Sequence, residues 1–364
     1  MLSRPLLVIN GYDFGLGRYS GVDRNALEIV RAMDAILAEG DRGYDVEIVV
    51  PEVTKDTPSY KHIEVRNIEK RCVSLFDKIM WRQWYYPQYV GSHSSLGLDM
   101  TLCFPHRGRY CIFDYDCIPE KLPAQCFSSL YKLKHWHYIK RVSKSLGGAE
   151  NIFTDSEYAK SQIIDYYSCN PRKIVIIPCA WQHMRRVKQD DSIISRLGLE
   201  ERRFFFSLGS HFSYKNFRWV ESAAKQNPQY RFVVTGADIH MSNMGEEKVP
   251  DNVSFTGYLC DEEVKGLMAH CRAFLHPSLE EGFGIPPMEA MSVGAKCIIS
   301  NAASLPEIYG DSVWYIDPNN YEHIDLDEIM LVPLAATNDD VLVRYSWEKS
   351  ARMVLDVLER RCFS

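Results

Sequence analysis

The chain is predicted to be an α/β protein built from two Rossmann-like, doubly wound halves, on three observations. Short apolar runs alternate with helical patterns along almost its whole length. A polar and charged stretch near residues 179–200, containing WQHMRRVKQDDSI, interrupts that alternation, which then restarts. The 364 residues are enough for two domains of ordinary size, each with its own core.

In order along the chain, residues 6–10 (LLVIN) end in Gly11 and have the profile of a buried parallel strand. A glycine-rich loop, GYDFGLGRYSG, leads into a helical pattern over 22–37. Strands are expected at 45–51 and 62–68. The segment 81–90, WRQWYYPQYV, gathers five aromatics around Pro87. Further short strands are expected at 101–104 and 110–113, a helix at 127–146, a strand at 151–154, a helix at 157–167 and a last strand at 173–178. After the polar interruption come strand 203–208, helix 217–225, strands 230–235 and 253–256, helix 261–270, strand 273–276 and strand 296–300. Residues 346–361 read as a final amphipathic helix.

Composition bounds the function. Hydrophobic content of 46% and charged content of 25% are those of a soluble globular protein. A net charge of −6 argues against nucleic acid as the main partner. Eleven cysteines without a C-x-x-C pair, and no apolar leader at the N-terminus, read as reduced thiols in a cytoplasmic protein. No stretch approaches the apolar length of a membrane span, so any membrane contact is expected to be peripheral. No histidine or carboxylate cluster has metal-ligand spacing, so no metal is expected.

The stretch that carries chemistry is LEEGFGIPPMEAMSVGA, residues 279–295. Gly282 and Gly284 permit a tight turn and a close approach to a ligand. Pro286 and Pro287 stand where a helix begins, and Gly294 where it stops. The amides of Gly282, Phe283, Gly284 and Ile285 then lie at or before a positive helix end, suited to phosphate. Glu281 and Glu289 flank this loop. Carboxylates repel phosphate, so here they are expected to accept hydrogen bonds from sugar or ribose hydroxyls.

This stretch resembles the E-x7-E signature of retaining GT-B glycosyltransferases of the family-four group, which assemble bacterial surface polysaccharides. The resemblance implies the GT-B fold: two Rossmann-like domains facing a cleft, an acceptor-binding domain at 1–180 and a donor-binding domain at 200–344. It also implies that the last helix, 345–362, packs back on the first domain. On the donor side, Glu281 would lie by the sugar and Glu289 would hold the nucleotide ribose. SLGSHFSYKN, residues 207–216, resembles the family segment in which a basic pair meets the donor diphosphate. Lys215 matches the lysine; Tyr214 stands where an arginine is usual. Gly209, Ser210 and Asn216 belong to the same segment. VTGAD and FTGYLCDEEV resemble the paired strand–glycine turns of the base wall, through Gly236, Gly257 and Tyr258.

On the acceptor side, GYDFGLGRYSG resembles the family's N-terminal glycine loop and places Gly15, Gly17 and Arg18 there. Arg18 reads equally as an anion contact or as an exposed structural arginine. The G-x-G-x-x-x-G spacing of Gly15, Gly17 and Gly21 departs from a dinucleotide fingerprint, which disfavours an oxidoreductase. YCIFDYDCIPEKLP resembles the loop at the cleft floor. Asp116 matches its catalytic-side aspartate, Tyr115 takes the usual histidine's place, and Asp114 is a further polar group. Ser156 is expected to cap the helix that follows it. Residues 128–144 carry five Lys or Arg, two His, three large aromatics and no acid. Both an anionic-lipid surface and an ordinary solvated helix fit that pattern.

The expected activity is transfer of a sugar from a nucleotide-diphosphate donor to a hydroxyl of a glycan or lipid-linked acceptor. Glu281, Lys215 and Asp116 would serve catalysis, with no cofactor. A non-catalytic nucleotide-sugar-binding component and a GT-B nucleotide-sugar epimerase are the alternatives.

Overall fold

The computed structural model describes residues 4–15, 20–70, 74–93, 95–101, 108–123, 131–209, 212–236 and 249–363. Contacts divide the chain into two compact units, Met1–Cys179 with Trp347–Ser364, and Ala180–Ser346.

The first unit is a seven-stranded parallel sheet of β1 (Leu6–Asn10), β2 (Asp45–Val50), β3 (Glu64–Asn67), β4 (Leu96–Asp99), β5 (Arg109–Phe113), β6 (Ile152–Thr154) and β7 (Ile174–Ile176). Their spatial order is β3-β2-β1-β4-β5-β6-β7. The connecting helices are α1 (Gly21–Leu37), α2 (Leu75–Met80), α3 (Tyr86–Ser92), α4 (Ile118–Lys121), α5 (Tyr131–Gly148) and α6 (Glu157–Tyr167). A single π-helical turn, Trp81–Tyr85, joins α2 to α3. This turn buries Trp81, which packs with Tyr86 and Val90 against Val8 and Val49 of the sheet. The aromatic run at 81–90 therefore serves the core of this unit. Helix starts follow local chemistry: Ser20 forms a capping box with Asp23, and Ser156 accepts from the Ala159 amide at 3.0 Å.

The second unit begins with α7 (Ser192–Arg196) and a six-stranded parallel sheet. Its strands are β8 (Phe204–Leu208), β9 (Arg231–Thr235), β10 (Val253–Phe255), β11 (Ala273–His276), β12 (Cys297–Ser300) and β13 (Trp314–Ile316). The order β10-β9-β8-β11-β12-β13 is the doubly wound sequence, in which the order of strand addition reverses between β8 and β11. The helices are α8 (Phe217–Gln226), α9 (Asp261–His270), α10 (Ile285–Ser292), α11 (Leu305–Tyr309), α12 (Leu326–Leu331) and α13 (Asn338–Leu342). Phe205, Phe232, Leu275 and Ile298 form one sheet face, against which Trp219, Val220 and Ala223 of α8 pack. Strands buried on both faces read as unbroken apolar runs such as FFFSL, which is why they were visible.

The final helix, α14 (Trp347–Leu358), belongs to the first unit and lies against α1. Ser350 Oγ donates to the Pro178 carbonyl at 2.6 Å, Arg352 bonds Glu39 at 2.9 Å, and Glu359 receives Arg42 at 2.6 Å.

One strand expectation is corrected and one strand is added. The strand expected at 101–104 lies earlier, at Leu96–Asp99; Thr101 is in a bend, and 102–104 fall outside the described residues. Trp314–Ile316 adds an edge strand that was not foreseen, because its three residues are too short for a periodic signal. Among the described residues, no helix is long and apolar enough to cross a membrane.

Candidate active site

In an open doubly wound sheet, ligands bind beyond the carboxyl ends of the strands at the point where strand order reverses. In the second unit that point lies between β8 and β11, and the chain after each of those strands brings one charged group there. After β8 a short turn, Ser213–Lys215, ends at Asn216 in the left-handed region (φ +55°). The Asn216 amide nitrogen donates to the carbonyls of Pro277 (3.0 Å) and Pro318 (2.8 Å), and Tyr321 donates to its oxygen at 3.1 Å. The Leu279 amide donates to the Tyr214 carbonyl at 2.7 Å. These bonds tie the turn after β8 to the turn after β11. Asn216 was expected to contact the donor; its side chain is instead committed to holding this junction.

The result is a buried charge cluster. Lys215 Nζ lies 2.7 Å from Glu281 Oε1, and His276 Nε2 lies 2.9 Å from the same oxygen. The Glu281 side chain is 10% exposed and that of Lys215 21%. Burial by itself would raise the Glu281 pKa, but the Lys215 ammonium and His276 reverse this and hold the carboxyl well below its ordinary range. Both bonds fall on Oε1, which leaves Oε2 to accept from a ligand hydroxyl. His276, the last residue of β11, was missed by the sequence reading. A lone histidine in an apolar run carries no spacing signal.

The loop from Glu281 to Ile285 is buried. Gly284 is the N-cap of α10 at φ +82°, and a Cβ there would stand 2.6 Å from Leu305 Cδ2. Its carbonyl accepts from Tyr309, and the Glu281 carbonyl accepts from Ser304 Oγ at 3.0 Å. Gly284→Ala is expected to lose about 2–4 kcal/mol in urea denaturation, from left-handed strain plus overpacking. A variant within about 0.5 kcal/mol of the parent would show that this geometry is not required. The Phe283 side chain is a core group, edge-on to Tyr345 at 5.3 Å. Pro286 and Pro287 have no N–H, so the first turn of α10 contributes only the Ile285 amide, and the remaining donors for an anion must come from the loop.

Glu289 of α10 pairs with His183 Nε2 at 2.7 Å. His183 lies in the segment expected to be a linker. That segment packs on the second unit: Trp181 Nε1 donates to Leu342 at 2.9 Å, and Lys265 donates to Met184 and Val187 at 2.7 and 2.8 Å. Its polar composition concealed this, because hydrogen bonds to backbone hold it around only a few buried apolar residues, Ala180, Met184, Ile193 and Leu199.

The three strand-end glycines form a wall. Gly209 donates to the Thr235 carbonyl and Gly236 to that of Gly257, each at 2.8 Å. Gly236 (φ +81°) admits no side chain, since a Cβ would meet the Gly209 carbonyl at 2.6 Å. Tyr258 beside them is largely exposed. Ser210 lies outside the described residues.

In the first unit, Asp116 Oδ1 accepts from the Ile118 amide at 3.0 Å. Tyr115, expected on the acceptor side, is buried. Its hydroxyl donates to the Met100 carbonyl at 2.8 Å and burial pushes its pKa well up, so it serves the fold and cannot act as a base. Asp114 is 2% exposed and neither carboxyl oxygen has a hydrogen-bond partner. Burial, then Glu120, Asp116 and Asp155, raise its pKa well above the carboxylate range. Gly15 ends the short turn Tyr12–Gly15; Gly17 and Arg18 lie outside the described residues.

Two parallel sheets of seven and six strands, one in each unit, give the GT-B fold shared with solved glycosyltransferase structures. Residues 189–328 match the family described as glycosyl transferases group 1. Over 363 residues it is 29% identical to the O-antigen chain mannosyltransferase B of Escherichia coli, covering 93% of this chain and 89% of that one. It is 24% identical to the O-antigen chain mannosyltransferase RfbU of Salmonella typhimurium, over 93% and 94% of the two chains. The fold is similar to that of sucrose-phosphate synthase from Thermosynechococcus elongatus, with a TM-score of 0.71 at 14% identity over 98% and 99% of the chains.

Proposed function

We propose that this glycosyltransferase moves a mannosyl group from a nucleotide-diphosphate sugar to a hydroxyl of a glycan or lipid-linked acceptor, with retention and without a metal, in bacterial surface polysaccharide assembly. The observation that carries this reading is the Lys215–Glu281–His276 cluster beside the start of α10. The names of the full-length relatives supply the sugar.

An ammonium has three donors, and Glu281 uses one of them at Lys215. The others serve the diphosphate, on which charge grows as the bond between the sugar's anomeric carbon and the phosphate oxygen breaks. A cation set against charge that develops only in the transition state speeds the chemical step. Lys215, the Ile285 amide and the loop amides thereby fill the role that a metal plays elsewhere. Glu281, anchored through Oε1, orients the sugar through Oε2. The acceptor oxygen bonds the anomeric carbon on the face the diphosphate leaves, and its proton passes to the departing phosphate oxygen. This route needs no protein base, in keeping with the committed hydroxyl of Tyr115. Gly209, Gly236, Gly257 and Tyr258 flank the base, and Glu289, steadied by His183, accepts from the ribose.

Incubation with GDP-mannose and a lipid-linked acceptor extract is expected to release GDP only when both are present, and the product should keep the donor's anomeric configuration by NMR. GDP release without acceptor, or inversion, would overturn the reading. Glu289→Ala is expected to weaken donor binding about tenfold, the loss of one good hydrogen bond, in calorimetric titration. Unchanged affinity would remove Glu289 from the site.

The proposed location is the cytoplasmic face of the membrane. Support comes from α5, which presents Leu133 and Trp136 to solvent together with Lys132, Lys140 and Lys144, and holds no acid. Lys140 Nζ lies 3.8 Å from the Trp136 ring centroid. Cations interleaved with exposed apolar groups suit a peripheral contact with anionic lipid.

A further inference from the structure

We infer that the first unit carries a second ligand site, for a small compound bearing a primary ammonium group, at the N-terminal ends of β1, β2 and β3. A cavity of about 870 Å³ opens there, bounded by those strand starts, the chain after α1 and the end of α3. Small-molecule sites commonly have this size. It lies at the opposite end of the strands from the loops described above.

Its charges are mostly matched within the protein. Arg4 pairs with Asp41 and Asp45, Arg42 with Glu359 at 2.6 Å, and Arg66 with Glu64 at 3.0 Å. The group only partly matched is Glu47, which shares Arg66 with Glu64. In register Glu47 lies between Val8 of β1 and Glu64 of β3, and its side chain shares a sheet face with the core residue Val49. It is 4% exposed and lines the cavity. Oε2 lies 3.5 Å from Arg66 Nε, and the half-buried Tyr89 hydroxyl also bonds this carboxylate. Oε1 has no partner.

A buried carboxylate oxygen without a donor is costly to the fold, and such oxygens are rare unless something outside the chain completes them. An anion would meet a cavity whose guanidinium groups are already occupied and whose acids outnumber them. A neutral polyol could hydrogen-bond Oε1 but would leave Glu47 and Glu64 with one shared cation between them. A primary ammonium is compact, positive and carries three donors, so it fits Oε1, with Asp45 and Glu64 at the rim for a second positive group.

The test is titration of the whole chain with putrescine, with 1,4-butanediol as the neutral compound of equal length, by calorimetry and by NMR of the His62 and His93 ring protons. Saturable putrescine binding is expected, with shifts at both histidines and none from the diol. Glu47→Gln should weaken binding at least tenfold, while Glu64→Gln, at the exposed rim, should weaken it less than threefold. Should Glu47→Gln fail to fold, the parent's ring shifts and the Glu64→Gln variant still decide the matter. No saturable binding, equal shifts from the diol, or equal losses in the two variants would overturn the site; donor binding in the second unit is not needed for any of these outcomes.

Discussion

Lys215→Ala is expected to lower kcat by about 10²–10³ while changing donor affinity far less, the pattern for loss of a group that acts on developing charge. The expectation rests on the 2.7 Å contact that fixes the ammonium at the end of β8. The same substitution leaves Glu281 buried with only His276 beside it, and should cost about 2–3 kcal/mol of stability. A pH measurement separates the two effects. Glu281 is held below its ordinary value of 4.5, so it contributes stability that is present above that pH and is lost as the pH falls toward its folded value. Without Lys215 that acid-side loss should shrink. Single-turnover rates and urea denaturation from pH 3 to 7 measure both. An unchanged kcat would remove Lys215 from the chemistry.

In the first unit the pH dependence should have the opposite sign. Burial lifts the Glu120 carboxyl from 4.5 to about 7, against the opposing hydrogen bond from Tyr167, and Asp116 adds to the rise. A raised acid binds its proton more tightly when folded, so folding is favoured at low pH and weakens as the pH climbs from 4.5 to about 7. At 1.36 kcal/mol per unit the loss is about 3 kcal/mol. Asp114, shifted in the same direction, steepens it. Glu120→Gln should flatten the dependence over this window and make the chain more stable at pH 7. Urea denaturation at half-unit intervals tests this; equal slopes in parent and variant would show that Glu120 keeps its charge in the fold.

The features of the candidate site that the sequence did signal are local ones. Gly284 must be glycine for reasons of its own backbone, and Lys215 and Glu281 stand in turns after apolar strands that advertise themselves. His276 and His183 were not legible. Each matters only because a residue 5 or 106 positions away is folded against it. Asn216 and Tyr115 were misread for the same reason: a polar side chain in a motif can face a ligand or a neighbouring carbonyl, and its sequence surroundings are alike in both cases.

The sequence by itself determined the two doubly wound sheets, the glycine loop before α10 and the acids on either side of it. These follow from hydrophobic periodicity and backbone allowance, which act over a few residues. Tertiary structure alone decided which polar groups pair: Glu281 with Lys215 and His276, Glu289 with His183, Tyr115 with a carbonyl, and Asp114 with nothing. Such partners come from strands and turns distant in sequence, and burial, which sets what each pairing is worth, exists only once the chain has folded.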